Sequence, residues 1–203
     1  VIAIIGDGSL SGGEALEGLD FVGEQNTNFI ILVNDNDMSI AENHGGLYKN
    51  LKALRESNGT CECNLFKAMG LDYLYLNEGN DLEKLIDTFK SVKDIDHPIV
   101  VHINTQKGKG YKFAEENKED WHWCMPFDIE TGKSTLNFSG EDYGTLTADF
   151  LLKKMKNDPT IVTLVAAVPT NIGFTKEKRE EAGKQFIDVG IAEEHAIAMI
   201  SGI

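Results

Sequence analysis

The chain has 203 residues, a net charge of −14 and a hydrophobic content of 41%. This length is enough to bury a hydrophobic core, and the negative charge argues against nucleic acids and anionic membranes as partners, because both repel such a surface. We find no apolar run long enough to span a membrane and no signal peptide.

The first informative motif is Gly6-Asp7-Gly8, which directly follows the apolar residues 1–5. Glycines at the end of a strand let the backbone turn sharply and approach a phosphate closely. Helical spacing follows, and a second apolar run at residues 29–33 leads into the polar stretch Asn34-Asp35-Asn36-Asp37-Met38. The pattern predicts one βαβ unit with both polar motifs at the carboxyl ends of its strands, where open α/β sheets bind ligands.

These two motifs together predict a site for Mg²⁺ and a diphosphate. Asp7 offers a carboxylate, Asn36 an amide oxygen and Met38 a main-chain carbonyl. Mg²⁺ prefers oxygen ligands and needs few from the protein when phosphate oxygens complete its shell. The helical pattern that opens after Gly8 adds N-terminal amides that favour an anion. The alternative is that both motifs are ordinary polar turns.

Further alternation of helices and strands follows along the chain. We predict two short helices between residues 47 and 69, broken near Asn58-Gly59, and a strand at 71–76. A helix capped by Asn80 or Asp81 and a buried strand at 99–103 come next. The order β-α-β-α-β-α-β predicts a parallel, doubly wound sheet. His102, inside the last strand, is expected to be a core histidine.

The character of the chain changes after residue 105. Two segments stand out: a glycine-rich basic loop at residues 107–111 and the segment Trp121-His122-Trp123. The pattern fits either an exposed loop with packed aromatics or catalytic loops at strand ends. A stretch with poor periodicity follows, and we predict a linker there. A second α/β pattern then begins, with a helix at 142–156, strands at 161–166 and 186–189, a loop at 169–173, and a helix from residue 192. The predicted organisation is a first α/β domain at 1–126, a linker at 127–140 and the start of a second at 141–203.

Cysteine usage indicates the redox compartment. Cys61, Cys63 and Cys124 form an odd set without framework-like spacing, which favours reduced thiols in a cytoplasmic protein. A zinc site made of these cysteines and His122 is a weaker alternative, because C-x-C and H-x-C are not the usual ligand spacings.

A second polar motif lies at the predicted junction between the last strand and the last helix. Glu193, Glu194 and His195 directly follow the run Gly190-Ile191-Ala192. Acidic residues in the first turn of a helix complement its dipole, so a purely structural role is the simplest interpretation of the motif taken alone. Together with a diphosphate site in the preceding domain, the motif suggests the far end of a longer cofactor.

Taken together, these motifs resemble those of the 1-deoxy-D-xylulose-5-phosphate synthase family, which are thiamine-diphosphate enzymes of the transketolase superfamily. The resemblance covers most of the 203 residues. It rests on five motifs in the family's order: Gly6-Asp7-Gly8-Ser9, Asn34-Asp35-Asn36-Asp37-Met38-Ser39-Ile40, Lys107-Gly108-Lys109-Gly110-Tyr111, Trp121-His122, and Asp188-Val189-Gly190-Ile191-Ala192-Glu193-Glu194-His195-Ala196.

The resemblance implies a role for each matching residue. Asp7, Asn36 and Met38 would hold Mg²⁺, and Gly8 and Ser9 would lie against the diphosphate of thiamine diphosphate. The remaining matches concern the rest of the cofactor and the substrate: Tyr111 would contact the cofactor, His122 would assist proton transfer at the reacting carbon, and Glu193 would hydrogen-bond the aminopyrimidine ring.

The implied reaction is the condensation of pyruvate with D-glyceraldehyde 3-phosphate, with loss of CO₂, which gives 1-deoxy-D-xylulose 5-phosphate. That product is a precursor of isoprenoids, thiamine and pyridoxal. The family resemblance also implies a transferase that forms a homodimer in the bacterial cytoplasm. Two alternatives stay open: another transketolase-superfamily enzyme, or a catalytically incomplete fragment that serves as a binding or dimerisation module.

The chain departs from the family pattern at several points. Asn80 stands where the family usually has His, Glu194 where it often has Gln, and the segment between Ser39 and Phe66 is short. Since the chain begins without Met in a strand-like run, we expect a piece of a longer protein. The family's upstream histidines and downstream phosphate-binding groups are missing, so this piece alone is expected to be inactive.

Overall fold

The structure is a computed structural model that describes residues 1–136 and 140–203. Its main feature is a four-stranded parallel sheet with the strand order β1-β2-β4-β3. The strands are β1 (Ile2–Gly6), β2 (Phe29–Asp35), β3 (Asp72–Leu76) and β4 (Pro98–Asn104). The helices between them are α1 (Gly13–Gly23), α2 (Gly46–Glu56), α3 (Leu65–Ala68) and α4 (Leu82–Val92).

Helices cover both faces of this sheet. The central strands β2 and β4 are continuous apolar runs, as expected of strands buried on both sides. On one face, Val33 and Val100 pack with residues of α1, α2 and α3, including Leu51 and Phe66. On the other face, Ile30, Leu32 and Val101 pack against α4 through Val92 and its neighbours. The predicted parallel, doubly wound α/β fold is therefore confirmed.

The parallel register brings the polar strand ends to one edge. Gly6 at the end of β1 lies beside Asn34, and Asp35 at the end of β2 lies beside Asn104. A 3-10 helix, Asp7–Ser11, follows β1 directly, so Asp7 stands in its first turn. The two motifs that the sequence places at strand ends thus meet at the same edge of the sheet.

The chain after the first sheet forms a second, smaller α/β unit. A short helix α5 (Lys112–Glu116) lies in the intervening segment. The second unit contains α6 (Tyr143–Met155), α7 (Lys176–Ala182) and α8 (Glu193–Ile200), with a two-stranded parallel sheet of β5 (Thr163–Val165) and β6 (Phe186–Asp188). Its core consists of residues of α6 around the fully buried Phe174. Its main helices and strands fall close to the positions that the sequence predicts after residue 141.

Among the described residues, two α-helices were not predicted from the sequence, and both omissions have a physical reason. Helix α7 reads Lys-Glu-Lys-Arg-Glu-Glu-Ala and buries only Ala182, so it has no apolar stripe. Its available signal was Thr175, whose hydroxyl caps the helix by accepting from the amide of Lys178. Helix α5 has five residues, too few for a periodic pattern.

The predicted linker at 127–140 includes residues 137–139, which lie outside the described residues. Before them, Phe127 and Ser134 form an isolated antiparallel bridge around a turn in which Asp128 accepts from the amide of Thr131. This part of the segment is thus a closed turn. In the part of the chain that the structure describes, no helix has the length and apolar composition to cross a membrane.

Candidate cofactor site

Asp7 is the central carboxylate of the candidate site. Its side chain is only 2% exposed and accepts a hydrogen bond from Nδ2 of Asn43 at 2.7 Å. The main-chain amides of Gly8 and Asn36 lie near it and, with Asn43, act to lower its pKa. Burial, with a smaller contribution from the charge of Asp35, nevertheless raises the pKa of Asp7 to about 6. A buried carboxylate whose ionised form is disfavoured in this way is suited to receive a cation.

The loop after β2 carries the second and third predicted ligands. The amide oxygen of Asn36 accepts from the amide of Met38 at 3.2 Å, and Oδ1 of Asp35 accepts from the amide of Asp37 at 3.0 Å. Asp37 has φ 62°, in the left-handed region that a non-glycine residue rarely adopts. The main chain of Asn36 reaches Asp7. The structure therefore brings the two predicted ligand motifs together.

Arg55 of α2 holds this loop by two ion pairs. Its Nη1 lies 2.8 and 2.6 Å from the two carboxylate oxygens of Asp35, and its Nη2 contacts Asp37. The guanidinium thus grips the residues on either side of Asn36. Arg55 was not predicted from the sequence, because nothing in the spacing of α2 distinguishes it from other surface cations.

A buried chain of hydrogen bonds links Asp35 to His102 and Tyr73. Nε2 of His102 donates to Oδ2 of Asp35 at 2.8 Å, and the hydroxyl of Tyr73 lies 2.7 Å from Nδ1 of the same imidazole. His102 and Asp35 are both fully buried. Burial alone would raise the pKa of Asp35, but the bonds from His102 and Arg55 outweigh it and lower the pKa. The core assignment of His102 is confirmed, and its partner is the residue next to Asn36.

The pocket around Asp7 contains polar atoms without partners. Among the described residues, Oγ of Ser39 and Oδ1 of Asn43 are buried and unbonded. A Cβ on Gly8 would lie 2.9 Å from the Cβ of Ser39, so only glycine fits there without a shift of Ser39. Unbonded oxygen atoms of this kind can bind a metal or its water ligands. Beside a buried carboxylate, and where the backbone at Gly8 lets a ligand come close, they suit Mg²⁺ and a diphosphate. The residues present therefore fit that group.

Lys107 joins His122 to this region. Its ammonium donates to the carbonyl of Ser39 and lies 3.0 Å from Nδ1 of His122. Because an ammonium has no acceptor, Nδ1 of His122 must accept. Burial, and then the charge of Lys107, lower the pKa of His122. Burial also lowers the pKa of Lys107, and the charge of Asp7 offsets only part of that effect. Lys107 is the first residue of the glycine-rich loop at residues 107–111, but its contacts could not be predicted from the sequence.

The second α/β unit meets the first beside the 3-10 helix Asp7–Ser11. Oγ of Ser11 donates to the carbonyl of Ile191 at 3.0 Å, and Gly190 adopts φ 75° next to Ser11 and His44. Glu193 then starts α8, where its side chain is exposed. This contact joins the start of α8 to the residues that follow Gly8.

The hydrogen bonds of Tyr111 and Ser9 go to residues other than Asp7. The hydroxyl of Tyr111 donates to the carbonyl of Ile129 at 3.0 Å, and its ring packs edge-on against Trp121. This aromatic cluster holds the segment that carries His122. Ser9 is exposed, and its carbonyl accepts from the amide of Gly12.

Similarity to known proteins shows the family of this chain. The family model described as 1-deoxy-D-xylulose-5-phosphate synthase matches residues 1–64 and 57–105. The chain belongs to the 1-deoxy-D-xylulose-5-phosphate synthase family.

Curated members of the family match over the whole chain. The synthase of Clostridium perfringens is 34% identical over 238 residues, and that of Listeria monocytogenes is 36% identical over 212 residues. The chain spans 38% of the first and 34% of the second. A solved transketolase from Campylobacter jejuni covers 98% of the chain, with the chain covering 25% of it, at 17% identity and a TM-score of 0.45. A similarity that low supports no inference about function.

The synthase family model matches in two segments that meet at residues 57–64. This is within the segment after Ser39 that we expected to be short. The alignment with the Clostridium relative is also longer than this chain of 203 residues. In the structure, Asn58 at φ 51° and Gly59 at φ 79° turn the chain out of α2 there.

The described residues contain no cluster of three or more His, Cys, Asp and Glu side chains that could hold a metal. The zinc alternative at Cys61, Cys63, Cys124 and His122 therefore has no structural support in residues 1–136 and 140–203, and all three thiols are free. The predicted Mg²⁺ site does not need such a cluster, because its predicted ligands are one carboxylate, one amide and one carbonyl.

We expect Asp7→Asn to stabilise the protein in the absence of metal. The pKa of Asp7 in the folded state, about 6, lies above its ordinary value of 3.8. The folded state therefore binds more protons between these values, and its stability falls as the pH rises from about 4 to about 6. Removing this ionisation should raise the free energy of unfolding at pH 7 by up to about 3 kcal/mol.

Urea unfolding of both proteins at pH 4 to 7 measures the effect. With Mg²⁺ and thiamine diphosphate at pH 7, we expect the order to reverse, because only wild type gains from the bound metal. Equal pH dependence in wild type and Asp7→Asn would show that Asp7 does not titrate in this way.

Proposed function

We propose that this chain is part of a thiamine-diphosphate-dependent 1-deoxy-D-xylulose-5-phosphate synthase. The full-length protein would condense pyruvate with D-glyceraldehyde 3-phosphate, with loss of CO₂. The observation that carries this proposal is the convergence of Asp7 with the Asn36 loop at one sheet edge in a chain of this family. The curated relatives bear the same activity in their names.

We infer that Asp7, Asn36 and the carbonyl of Met38 hold Mg²⁺, and that Gly8 and Ser9 lie against the diphosphate. The unbonded oxygens of Ser39 and Asn43 are available to water on the metal or to the phosphate. When bound, thiamine diphosphate supplies an electron sink for carbon–carbon bond chemistry. The organisation into a diphosphate-binding part at 1–126, a linker at 127–140 and a pyrimidine-binding part from 141 belongs to the same proposal.

Two side chains are assigned to proton movement in this proposal. Glu193 hydrogen-bonds the aminopyrimidine ring and holds a proton there. His122, whose pKa is lowered by burial and by Lys107, is neutral at physiological pH and can accept or return a proton at its Nε2. Tyr111 contacts the cofactor from the glycine-rich loop. A homodimer in the bacterial cytoplasm is the proposed setting.

The deciding experiment measures donor and acceptor use by the full-length protein. With Mg²⁺ and thiamine diphosphate, CO₂ release from pyruvate that depends on D-glyceraldehyde 3-phosphate supports the proposal. Ketol transfer between sugar phosphates without CO₂ release would assign the protein to transketolase chemistry instead. Calorimetry of thiamine diphosphate with Mg²⁺ against the 203-residue chain then shows whether this part binds the cofactor by itself.

A further inference from the structure

One ion pair joins the two α/β units close to His122. Nη1 and Nη2 of Arg179, on α7, lie 3.0 and 3.1 Å from the two carboxylate oxygens of Glu119. The exposed fractions of the two side chains are 19% for Arg179 and 24% for Glu119. A bidentate, mostly shielded pair of this kind fixes orientation as well as distance, unlike an exposed surface pair.

Arg179 is itself anchored in the second unit. Its Nη1 also donates to the carbonyl of Phe174 at 3.1 Å, and Phe174 is fully buried in the core of that unit. The guanidinium is therefore held in place by the core of the second unit, and through the ion pair this core also fixes the position of Glu119.

Glu119 in turn holds the backbone of His122. The amide of His122 donates to the carbonyl of Glu119 at 3.1 Å. The ring of the same histidine is held from the other side by Lys107, whose ammonium also contacts Ser39 beside the Asp7 pocket. A continuous set of contacts thus runs from the core of the second unit, through the ion pair and His122, to the candidate metal site.

We propose that Glu119 and Arg179 are positioning residues that hold His122 at the cofactor site by tying its loop to the second α/β unit. This inference deepens the proposed function and depends on it only for the role of His122. Among the described residues, neither forms a hydrogen bond or an ion pair with the predicted ligands Asp7 and Asn36. Loss of the pair should therefore reduce turnover without changing the concentration of Mg²⁺ needed for half-saturation.

The test is a charge-reversal cycle in the full-length protein, with Glu119→Arg, Arg179→Glu and the double variant. Each single variant places like charges together, so we expect faster amide hydrogen exchange in residues 120–124 and about 10- to 100-fold lower turnover. The double variant restores an opposite pair and should recover most of both. Half-saturation by Mg²⁺ should stay within about 2-fold of wild type in all three, which corresponds to less than about 0.5 kcal/mol in binding.

Lys178→Glu is the matched control. Lys178 is the neighbour of Arg179 on α7, and its ammonium pairs with Asp149 of α6 at 2.7 Å, within the second unit. Its reversal should leave exchange in residues 120–124 and turnover close to wild type. If this control loosens the loop as much as Arg179→Glu does, the specific pair is not the cause and the proposal is overturned.

The remaining outcomes separate this inference from the proposed function. A double variant no better than the single ones, or single variants with a loosened loop and normal turnover, would overturn the positioning role. If full-length wild type has no synthase activity, the proposed function fails, but the exchange measurements still decide whether the ion pair holds the loop.

Discussion

Glu193→Ala in the full-length protein is expected to lower turnover by about 100- to 1,000-fold at saturating thiamine diphosphate, the loss typical of one well-placed catalytic hydrogen bond. The side chain lies on the first residue of α8 and is exposed in this chain, so its removal leaves no cavity. The thermal midpoint should therefore stay near that of wild type. Steady-state rates with pyruvate and D-glyceraldehyde 3-phosphate measure the effect.

Glu194→Ala is the matched control for this prediction. Both glutamates occupy the first turn of α8 and both complement its dipole, so an electrostatic role alone predicts similar small losses for the two. A catalytic role for Glu193 predicts a large loss for one and a small loss for the other. Near-normal turnover of Glu193→Ala at saturating cofactor would remove this residue from the mechanism.

Arg55→Met is expected to lower the free energy of unfolding by about 3 to 5 kcal/mol, because it leaves the fully buried carboxylate of Asp35 without its cationic partner. His102 still donates to Asp35, but one hydrogen bond does not replace the cationic Nη1 of Arg55, which contacts both carboxylate oxygens. The loss should be largest at neutral pH. It should shrink as the pH falls, because protonation removes the buried charge.

Lys52→Met on the same helix provides the control. Lys52 pairs with Glu56 at 3.8 Å, and both side chains are about two-thirds exposed, with 64% and 68% accessible. Loss of such a pair costs about 0.5 kcal/mol or less. Denaturant unfolding of both variants at pH 5 and pH 7 gives the comparison. Equal, small losses would show that the pair with Asp35 does not hold α2 to the sheet.

The sheet was predictable because its strands carry the signal themselves. The runs that form β2 and β4 are apolar and continuous, and strands of that kind occur in parallel sheets covered on both faces. Helix α7 could not be predicted in the same way. Its stability comes from the Thr175 cap and from contacts of Ala182 and Arg179 with distant residues, and periodicity does not report such contacts.

In the candidate site, too, the features set by local sequence were predictable and those set by long-range contacts were not. The placement of Asp7 and Asn36 at one sheet edge was predictable, because strand ends follow from local sequence and the geometry of a parallel sheet. The residues that support them were not, since Arg55 lies 20 residues from Asp35 and His102 lies 67 residues from it. Their importance depends on burial and on charge pairing across three elements.

The cost of keeping Asp7 ionised in a buried position has a consequence for the cell. Under the proposed function, bound Mg²⁺ and thiamine diphosphate offset this cost, so the protein opens more readily when they are scarce, and opened molecules are the ones that proteases degrade. The steady-state amount of this protein should therefore follow the supply of thiamine. Pulse-chase measurement of its half-life in thiamine-starved and thiamine-fed cultures, with Asp7→Asn as the insensitive reference, would show this coupling.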